Sequence, residues 1–217
     1  MTAPATSRTG TPRLSVLIPF FRDDPSALAR AVDAQAAASS WPVEIVLCDD
    51  GSGDAALTAR LDALRTKLST PLTLLTKEAN GGRACARNAL AAAAKGDWLL
   101  YLDADMLLPD GFLARWFAEI ERGGFDAAFG GFDAEPPASP GERVHAAIAR
   151  ASDTGGAETR ARRGATAFCT SNLLVRAAVM PDLPFDETFR GWGWEDVDWA
   201  VRAAQAGTLR HADNPAG

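Results

Sequence analysis

The sequence predicts an α/β protein in which helices flank one mostly parallel sheet, and three observations lead to this fold class. Short apolar runs alternate with helical segments from residue 14 to residue 102, and this alternation favours right-handed crossovers between parallel strands. The run at 98–102 is continuously apolar, as a central strand covered on both faces requires. A length of 217 residues fits one large domain better than two small ones.

The first half of the chain contains four predicted strands, at 14–20, 43–48, 72–76 and 98–102. Asp24 and Pro25 supply an N-cap and a first-turn proline to a helix that ends near Ala37. Four leucines mark one face of a second helix, because they are spaced by four, three and four residues. They are Leu57, Leu61, Leu64 and Leu68.

A turn at Asn80-Gly81-Gly82 leads into a third, Ala-rich helix from about Arg83 to Ala94. We expect its alanines to pack and its polar residues to lie on other faces, namely Arg83, Arg87 and Asn88. Open α/β sheets bind ligands at the carboxyl ends of their strands. We therefore expect the functional residues in the loops that follow the strands.

Beyond residue 105 the pattern changes, with predicted helices at 111–121 and 142–151 and predicted strands at 127–132 and 167–175. Residues 153–164 are rich in Gly, Arg and Thr and predict a mobile loop. The last helix has a predicted inner face of Trp194, Val197, Val201 and Ala204. The chain stops soon after a short segment at 209–212, so we expect a truncation or a missing partner segment.

The charge of the chain limits its partners. A formal net charge of −6 argues against nucleic acid, because phosphate backbones bind dense Lys/Arg surfaces. One basic cluster stands out, made of Arg160, Arg162 and Arg163. It has two interpretations, a solvated loop or a contact with a diphosphate or an anionic membrane surface.

Cysteine spacing and hydropathy bear on the compartment. Cys48, Cys85 and Cys169 lie far apart without C-x-x-C spacing, which indicates neither a disulfide framework nor a zinc site. Residues 1–12 are small and polar and predict a disordered tail, not a secretory signal. No run approaches the ~18 apolar residues that span a bilayer. We expect a cytoplasmic protein, either free or in peripheral contact with the inner face of the membrane.

Asp103-Ala104-Asp105 directly follows the strand at 98–102 and is the most informative motif. D-x-D alone is a weak signal, since two acidic residues one apart often form a solvated turn. Its position at the carboxyl end of a buried strand favours ligand binding. One or two carboxylates, with phosphates and water as further ligands, suit Mn²⁺ or Mg²⁺. The motif therefore predicts a site for a divalent cation and a diphosphate.

An ordered set of motifs resembles the family 2 glycosyltransferases of the GT-A fold. The motifs are the strand at 14–20, Asp49-Asp50-Gly51-Ser52, Asn80-Gly81-Gly82-Arg83, Ala86-Arg87-Asn88, Asp103-Ala104-Asp105, Phe185-Asp186-Glu187 and Gly191-Trp192-Gly193-Trp194-Glu195-Asp196. Each motif alone is weak, but the ordered set over residues 13–212 is specific. The resemblance implies one GT-A domain at 13–217, with a nucleotide-binding half at about 13–106 and an acceptor-binding half at about 107–217.

The resemblance implies a transferase that moves a sugar from a nucleotide donor, usually a UDP-sugar, to an acceptor hydroxyl with inversion at the anomeric carbon. Glycan, lipid-linked and small-molecule acceptors all stay open. Negative charge develops on the departing nucleoside diphosphate, and a bound Mn²⁺ or Mg²⁺ stabilises that charge. Asp105 is the first-choice metal ligand. Asp103 binds the ribose or the metal, and Ala104 lies between them at the donor.

By similarity, Asp50 accepts a hydrogen bond from the base of the nucleotide, with Asp49 beside it. Pro19 and Phe20 line the same pocket. The alternative is an Asx-type turn, in which an aspartate caps its own loop.

The turn and helix after the third strand extend the expected donor site through Asn80 and Gly81. Arg83 and Arg87 have two interpretations. They orient the phosphates, or they form a surface network with the carboxylates of Asp49 and Asp103.

An acceptor hydroxyl needs a general base before it can attack, and Asp196 is the first candidate. It stands in an acidic pair at the start of a predicted helix, where the helix dipole favours an ionised carboxylate. The alternative is that Glu195 and Asp196 are ordinary first-turn carboxylates. Glu195 is also a candidate for acceptor binding.

Trp192 and Trp194 flank Gly193 beside this base, and exposed indoles stack on sugar rings. Related sequences often carry Gly-Trp-Gly-Gly-Glu-Asp here, so Trp194 departs from the family pattern and bears on acceptor specificity. A core position for Trp194 is the alternative. His211 resembles a late histidine that completes the metal site in some GT-A enzymes, whereas a lone histidine is more often structural.

Two other enzyme classes fit less well. A sugar-phosphate nucleotidyltransferase should carry a Gly-rich basic segment after the first strand, and residues 19–23 contain no glycine. A dinucleotide oxidoreductase needs G-x-G-x-x-G, and the near match at 191–196 lacks the third glycine. A catalytically idle module that binds a nucleotide sugar or a glycan within a larger assembly stays open as the alternative function.

Overall fold

The computed structural model describes residues 13–131, 155–189 and 193–217. Its strands are β1 Leu14–Phe20, β2 Val43–Asp49, β3 Leu72–Thr76, β4 Trp98–Leu102, β5 Ala127–Phe129, β6 Asn172–Arg176 and β7 Leu209–His211. Its α-helices are α1 Ser26–Ala37, α2 Ala55–Arg65, α3 Arg83–Ala93, α4 Phe112–Arg122, α5 Ala157–Ala161 and α6 Glu195–Ala206. Short 3-10 helices cover Gly164–Ala167 and Ala177–Val179.

The seven strands form one sheet in the order β3-β2-β1-β4-β6-β5-β7. β6 runs antiparallel to both of its neighbours, and the other pairs are parallel. The prediction of a mostly parallel α/β sheet is therefore confirmed. This topology brings the carboxyl ends of β1, β2 and β4 to one edge, together with the start of β6.

Two apolar layers cover the sheet. One includes buried side chains of α1, α2 and α4, and the other includes those of α3 and α6. Trp116 of α4 and Trp199 of α6 are both fully buried, one in each layer. Large aromatic side chains bury much apolar area each, so these two indoles hold α4 and α6 on opposite faces of the sheet.

Most predicted elements of the first half are confirmed within a residue or two. Leu57, Leu61 and Leu64 are buried in α2, while Leu68 lies beyond the end of that helix and packs against the same core. The oxygen Oδ1 of Asp24 accepts a hydrogen bond from the backbone N of Ser26 at 3.0 Å. The helix begins after the proline, one residue later than its predicted first turn.

The predicted loop at 153–164 is wrong for its described residues, which contain α5 and the start of a 3-10 helix. Arg160 is buried, in contrast to a solvated loop. One Nη of Arg160 donates to the backbone oxygen of Ala212 at 2.6 Å, and its guanidinium lies 5.2 Å from the ring of Phe129. These contacts fix a segment that has no apolar periodicity, which is why the sequence pattern missed it.

The inner face predicted for the last helix is also wrong. α6 buries Glu195, Trp199, Ala200 and Ala203. Trp194 and Val201 are exposed instead. The helix is rotated because Trp199 stacks on Phe185 with ring centroids 5.5 Å apart, and because the carboxylate of Glu195 has a buried cationic partner.

Two strands of the second half are shorter than predicted. β5 ends at Phe129, and β6 begins at Asn172 because residues 164–167 form the 3-10 helix. The predicted tail at 1–12 and the predicted helix at 142–151 lie outside the described residues.

The last residues of the chain contact the loop that follows β4. Leu107 and Gly217 exchange two backbone hydrogen bonds, and the backbone N of Asn214 donates to the oxygen of Gly130 at 3.1 Å. The side-chain amide of Asn214 donates to the oxygen of Phe112 at 3.1 Å. These bonds position the loop that carries the D-x-D motif. In the described part of the chain, no helix has the length and apolarity to cross a membrane.

Candidate functional site

A cavity of about 510 Å³ lies at the carboxyl edge of the sheet, beside β1 and β4. Its lining comes from the ends of β1 and β2, the turn before α3, α3 itself and the D-x-D loop. The lining residues are Pro19, Phe20, Phe21, Asp23, Asp50, Asn80, Gly82, Arg83, Ala86, Arg87, Asp103, Ala104 and Asp105. This edge is where open α/β sheets bind ligands.

Asp50 holds the turn before α3 with both carboxylate oxygens. Its Oδ1 accepts from Nζ of Lys77 at 2.6 Å and from the backbone N of Gly81 at 3.1 Å. Its Oδ2 accepts from the backbone N of Gly82 at 2.8 Å. Burial acts to lower the pKa of Lys77, but the hydrogen bonds to Asp50 and Cys85 and the charges of both groups together outweigh burial, and the pKa is raised. Asp50 is thus a fixed carboxylate in the cavity wall.

Asp49 does not line the cavity. Its Oδ1 accepts from the backbone N of Ser52 at 2.8 Å, so the Asx-type turn proposed as an alternative occurs at Asp49. Gly51, two residues after Asp49, has φ +82, and an added Cβ would collide with the backbone of Ala79. Only glycine permits this close approach, which brings the loop after β2 against the turn before α3.

The two carboxylates of the D-x-D motif differ in their surroundings. Asp105 is exposed and has no hydrogen-bond or ion-pair partner within the described residues. Asp103 is 38% exposed in its side chain, and its Oδ1 lies 3.5 Å from Nη2 of Arg87. Asp105 is therefore free to bind a ligand in the cavity, and Asp103 is partly neutralised by a cation.

Arg87 is buried, which contradicts its predicted place on a polar face of α3. Its Nη1 donates to Oε1 of Glu195 at 2.8 Å, with side-chain exposures of 3% and 5%. Burial acts to lower the pKa of Arg87, but the charges of Asp103 and Glu195 raise it. The predicted surface network of Arg83 and Arg87 with Asp49 and Asp103 is therefore wrong. Arg87 does pair with Asp103, but its guanidinium is buried. Arg83 does not pair with Asp49 in the described part of the chain.

Asp196 lies next to this ion pair. The pKa of Asp196 is raised, chiefly by burial and also by the charge of Glu195. The backbone hydrogen bond from Val197 and the charge of Arg87 act in the opposite direction. Cys169 also faces Asp196. Burial raises the pKa of that thiol to about 12, so Cys169 is a neutral neighbour of the carboxylate at physiological pH.

Trp194 is 71% exposed, so the core alternative is wrong. Its φ is +74, a left-handed conformation that is uncommon for a bulky side chain. Gly193 precedes it with φ +95. Trp192 lies outside the described residues. The indole of Trp194 therefore stands in solvent directly before the acidic pair at the start of α6.

Arg83 is exposed at the first position of α3 and lines the cavity. It has no ion-pair partner in the described part of the chain. The unpaired backbone N–H groups at the start of an α-helix attract anions. An exposed guanidinium at the same place makes this end of the cavity the candidate for anion binding.

His211 does not line the cavity. Its ring packs on Phe168 with centroids 4.6 Å apart, and its Nε2 is 3.1 Å from the carbonyl oxygen of Gly164. Burial lowers its pKa, which favours the neutral ring. Its Nδ1 is buried with no hydrogen-bond partner among the described residues. A metal-ligand role for His211 stays a prediction.

The donor set at the D-x-D motif fits a hard divalent cation. No group of three His, Cys, Asp or Glu residues gathers among the described residues, so a closed all-protein cage is absent from that part of the chain. Mg²⁺ and Mn²⁺ are commonly held by one or two carboxylates plus phosphate oxygens and water. The exposed carboxylate of Asp105, with Asp103 beside it, meets that requirement.

Several residues of the site were missed from the sequence. Phe21 and Asp23 line the cavity, Lys77 holds Asp50, and Cys169 faces Asp196. Lys77 lies three residues before Asn80 in no recognised motif, and Cys169 gives no spacing signal. Phe21 and Asp23 directly follow the first strand, so their place at its carboxyl end was the one available signal.

Comparisons with known proteins identify the family of this chain. A family model described as glycosyl transferase family 2 matches residues 15–179. An undecaprenyl-phosphate 4-deoxy-4-formamido-L-arabinose transferase of Pseudomonas fluorescens is 32% identical over 112 residues, covering 51% of this chain and 33% of that protein. An uncharacterized glycosyltransferase of Haemophilus influenzae is 32% identical over 94 residues, covering 42% and 29%. The chain thus spans about a third of the length of these curated relatives.

Solved structures share the fold. The mannosyltransferase PcManGT from Pyrobaculum calidifontis, in complex with GDP-Man and Mn²⁺, superposes with a TM-score of 0.68 at 19% identity, covering 95% of this chain and 56% of that one. S. aureus TarS 1-349 in complex with UDP gives 0.63 at 18% identity, covering 94% and 59%. On the match over residues 15–179, the chain belongs to glycosyl transferase family 2.

Proposed function

We propose that this chain transfers a sugar from a nucleoside diphosphate sugar to an acceptor hydroxyl, with inversion at the anomeric carbon. The observation that carries the proposal is the composition of one cavity. It places a fixed carboxylate, Asp50, an exposed arginine, Arg83, and the carboxylates of Asp103 and Asp105 in about 510 Å³. The nucleobase, the diphosphate and the cation each have a matching group there, namely Asp50, Arg83 and the D-x-D carboxylates.

The nucleotide end lies at Asp50, with Pro19 and Phe20 as the apolar wall and Asn80 at the rim. Asp50 already accepts three hydrogen bonds, and a carboxylate has about four acceptor positions. One position is left for an N–H of the base. We propose UDP as the nucleotide, because the imide N–H of uracil matches a single acceptor. Similar structures hold either UDP-GlcNAc or GDP-Man.

The diphosphate end lies between Arg83 and the D-x-D motif, with Ala104 in the wall. Arg83 and the first N–H groups of α3 neutralise phosphate oxygens. Asp105, helped by Asp103, would hold Mn²⁺ or Mg²⁺ against the same phosphates. When bound, that cation supplies Lewis-acid stabilisation of the charge that develops on the leaving diphosphate. His211 completes the ligand set only if its ring leaves Phe168.

Asp196 is the proposed general base. The acceptor oxygen forms a bond to the anomeric carbon while the bond from that carbon to the diphosphate oxygen breaks, and the hydroxyl proton passes to the carboxylate of Asp196. Attack opposite to the leaving group inverts the anomeric carbon. The charge of Arg87 favours the ionised base, and burial opposes it. The raised pKa brings the base closer to working pH, which improves proton transfer.

The acceptor end lies at Gly193 and Trp194, with Trp192 as a further candidate, whereas the carboxylate of Glu195 is buried against Arg87 and is not available to an acceptor. Trp194 offers an exposed apolar face for a sugar ring. The acceptor classes are a glycan, a lipid-linked molecule and a small molecule. One curated relative carries undecaprenyl phosphate in its name, which favours a lipid-linked acceptor and a cytoplasmic site at the inner face of the membrane.

A donor panel tests the proposal. The full chain is incubated with UDP-, GDP- and dTDP-sugars and Mn²⁺, and release of the nucleoside diphosphate is measured with and without acceptor. One donor should be hydrolysed slowly without acceptor, and Asp196→Asn should keep UDP binding while losing transfer. Donor binding with no hydrolysis of any sugar would contradict the transferase and favour the idle binding module.

A further inference from the structure

The guanidinium of Arg87 joins two functional segments that are far apart in the chain. Nη2 faces Asp103 on the loop after β4 at 3.5 Å, and Nη1 faces Glu195 at the start of α6 at 2.8 Å. Asp103 belongs to the donor end of the cavity. Glu195 directly precedes the proposed base. One buried cation therefore touches both ends of the site.

The surroundings of Arg87 leave little room for a donor phosphate. Its side chain is 3% exposed, and both Nη groups already face carboxylates. One face of the guanidinium lies 5.7 Å from the ring of Phe185. Arg83 stands four residues earlier, on the same side of α3, and it is exposed to the cavity. The two arginines thus have separate environments, one for a ligand and one for protein carboxylates.

We propose that Arg87 is a positioning residue that sets Asp103 and Glu195 relative to each other, and through Glu195 orients the base Asp196. The proposal rests on the proposed transferase function and names how its two halves are held together. It withdraws Arg87 from the predicted phosphate ligands. Arg83 keeps that role alone.

The charges around Asp196 give the proposal a specific signature. Glu195 faces it from α6, Arg87 from α3, and Cys169 from the segment before β6, while Asp103 of the loop after β4 acts on that thiol. Glu195 and Arg87 oppose each other in their effect on Asp196. Removing one charge should therefore move the titration of the base in the opposite direction from removing the other.

Three variants separate a positioning role from a structural one, namely Arg87→Met, Glu195→Gln and the double variant. Arg87→Met leaves the carboxylate of Glu195 buried without its partner, so its Tm should lie below that of the double variant. The double variant has no buried charge left unpaired between these positions. It should fold and bind UDP with Mn²⁺ within about threefold of the wild-type affinity, because Asp105 and Arg83, the main proposed contacts of the cation and the phosphates, are unchanged. Its kcat should fall at least tenfold.

Arg83→Met is the matched comparison on the same helix and should lower the affinity for UDP at least tenfold. In the pH profile of kcat, Arg87→Met should move the acid limb to higher pH and Glu195→Gln should move it to lower pH. A tenfold loss of UDP affinity in the double variant, with kcat retained at saturating donor, would show that Arg87 binds phosphate. Unchanged kcat and pH profiles in all three variants would show a purely structural ion pair.

Failure of the proposed function gives a different pattern. If the wild type turned over no donor with any acceptor, the transferase proposal would fail, and the UDP affinities would still decide the role of Arg87. Affinity within threefold in the double variant, with the stated order of Tm values, shows that Arg87 binds the protein carboxylates and not a phosphate. A tenfold loss overturns it.

Discussion

The side-chain amide of Asn88 makes hydrogen bonds to both the backbone N and the backbone O of Phe185. Its Nδ2 donates to the oxygen of Phe185 at 2.9 Å, and its Oδ1 accepts from the N of Phe185 at 2.9 Å. Nδ2 also donates to Oε1 of Glu187 at 2.9 Å. The motifs Ala86-Arg87-Asn88 and Phe185-Asp186-Glu187, separated by about a hundred residues, are thus one structural unit. Phe185 in turn stacks on Trp199 of α6, so Asn88 helps to position that helix.

Asn88→Ala should lower the free energy of unfolding by about 2–3 kcal/mol, because it leaves two backbone groups of Phe185 without partners. Urea unfolding followed by far-UV circular dichroism measures the loss. Glu187→Ala removes only the third, exposed bond and should change stability by less than about 0.5 kcal/mol. Equal effects of the two variants would refute the role assigned to the Phe185 backbone.

Stability should depend on pH through Asp196. Its pKa is raised in the folded state, chiefly by burial, so the folded protein binds this proton more tightly than the unfolded chain. The stabilisation of the fold that comes from this tighter proton binding is fully present below the ordinary aspartate pKa of about 3.9, and it is lost as pH rises through the pKa of the folded state. Asp196→Asn should therefore gain stability relative to wild type as pH rises through that window. A pH-independent difference in urea unfolding from pH 4 to pH 8 would contradict the raised pKa.

Trp194 should destabilise the fold, because its backbone is held in the left-handed region. Its φ of +74 disfavours a bulky side chain, so Trp194→Gly should stabilise the fold by roughly 0.5–1 kcal/mol after the added freedom of the unfolded chain is counted. Trp194→Asn, which tolerates this φ, serves as the second variant. Both should raise KM for the acceptor with little effect on UDP affinity. Unchanged acceptor KM would remove Trp194 from the acceptor site.

Lys77 should stabilise the fold through its ion pair with Asp50. Lys77→Met removes a charged hydrogen bond of 2.6 Å to a buried carboxylate and should destabilise the fold by about 1.5–3 kcal/mol. Asp50→Asn in the same background should restore part of that loss, because no charge is then left unpaired. A calorimetric double-mutant cycle measures the coupling. Strictly additive effects would show that the two residues do not interact.

The sequence predicted those features that depend on local pattern. Buried strands were visible as apolar runs, and the D-x-D motif lies where the end of β4 placed it. The buried state of Arg87 could not be predicted in this way, because its two partners come from the loop after β4 and from α6, and only the folded chain brings them together. The face of α6 was missed for the same reason. Trp199 is buried and Trp194 is exposed. Because both are tryptophans, residue type alone does not separate them, and the difference in burial arises from packing in the folded chain.

Binding of UDP with and without cation tests the account most directly. UDP with Mn²⁺ should raise the Tm of the full chain, and the shift should vanish with excess chelator and in Asp105→Ala. Asp62→Ala, an exposed position on α2, is the control and should keep the shift. A UDP-induced shift of the same size in chelator, or in Asp105→Ala, would contradict a cation-assisted nucleotide site at the D-x-D motif.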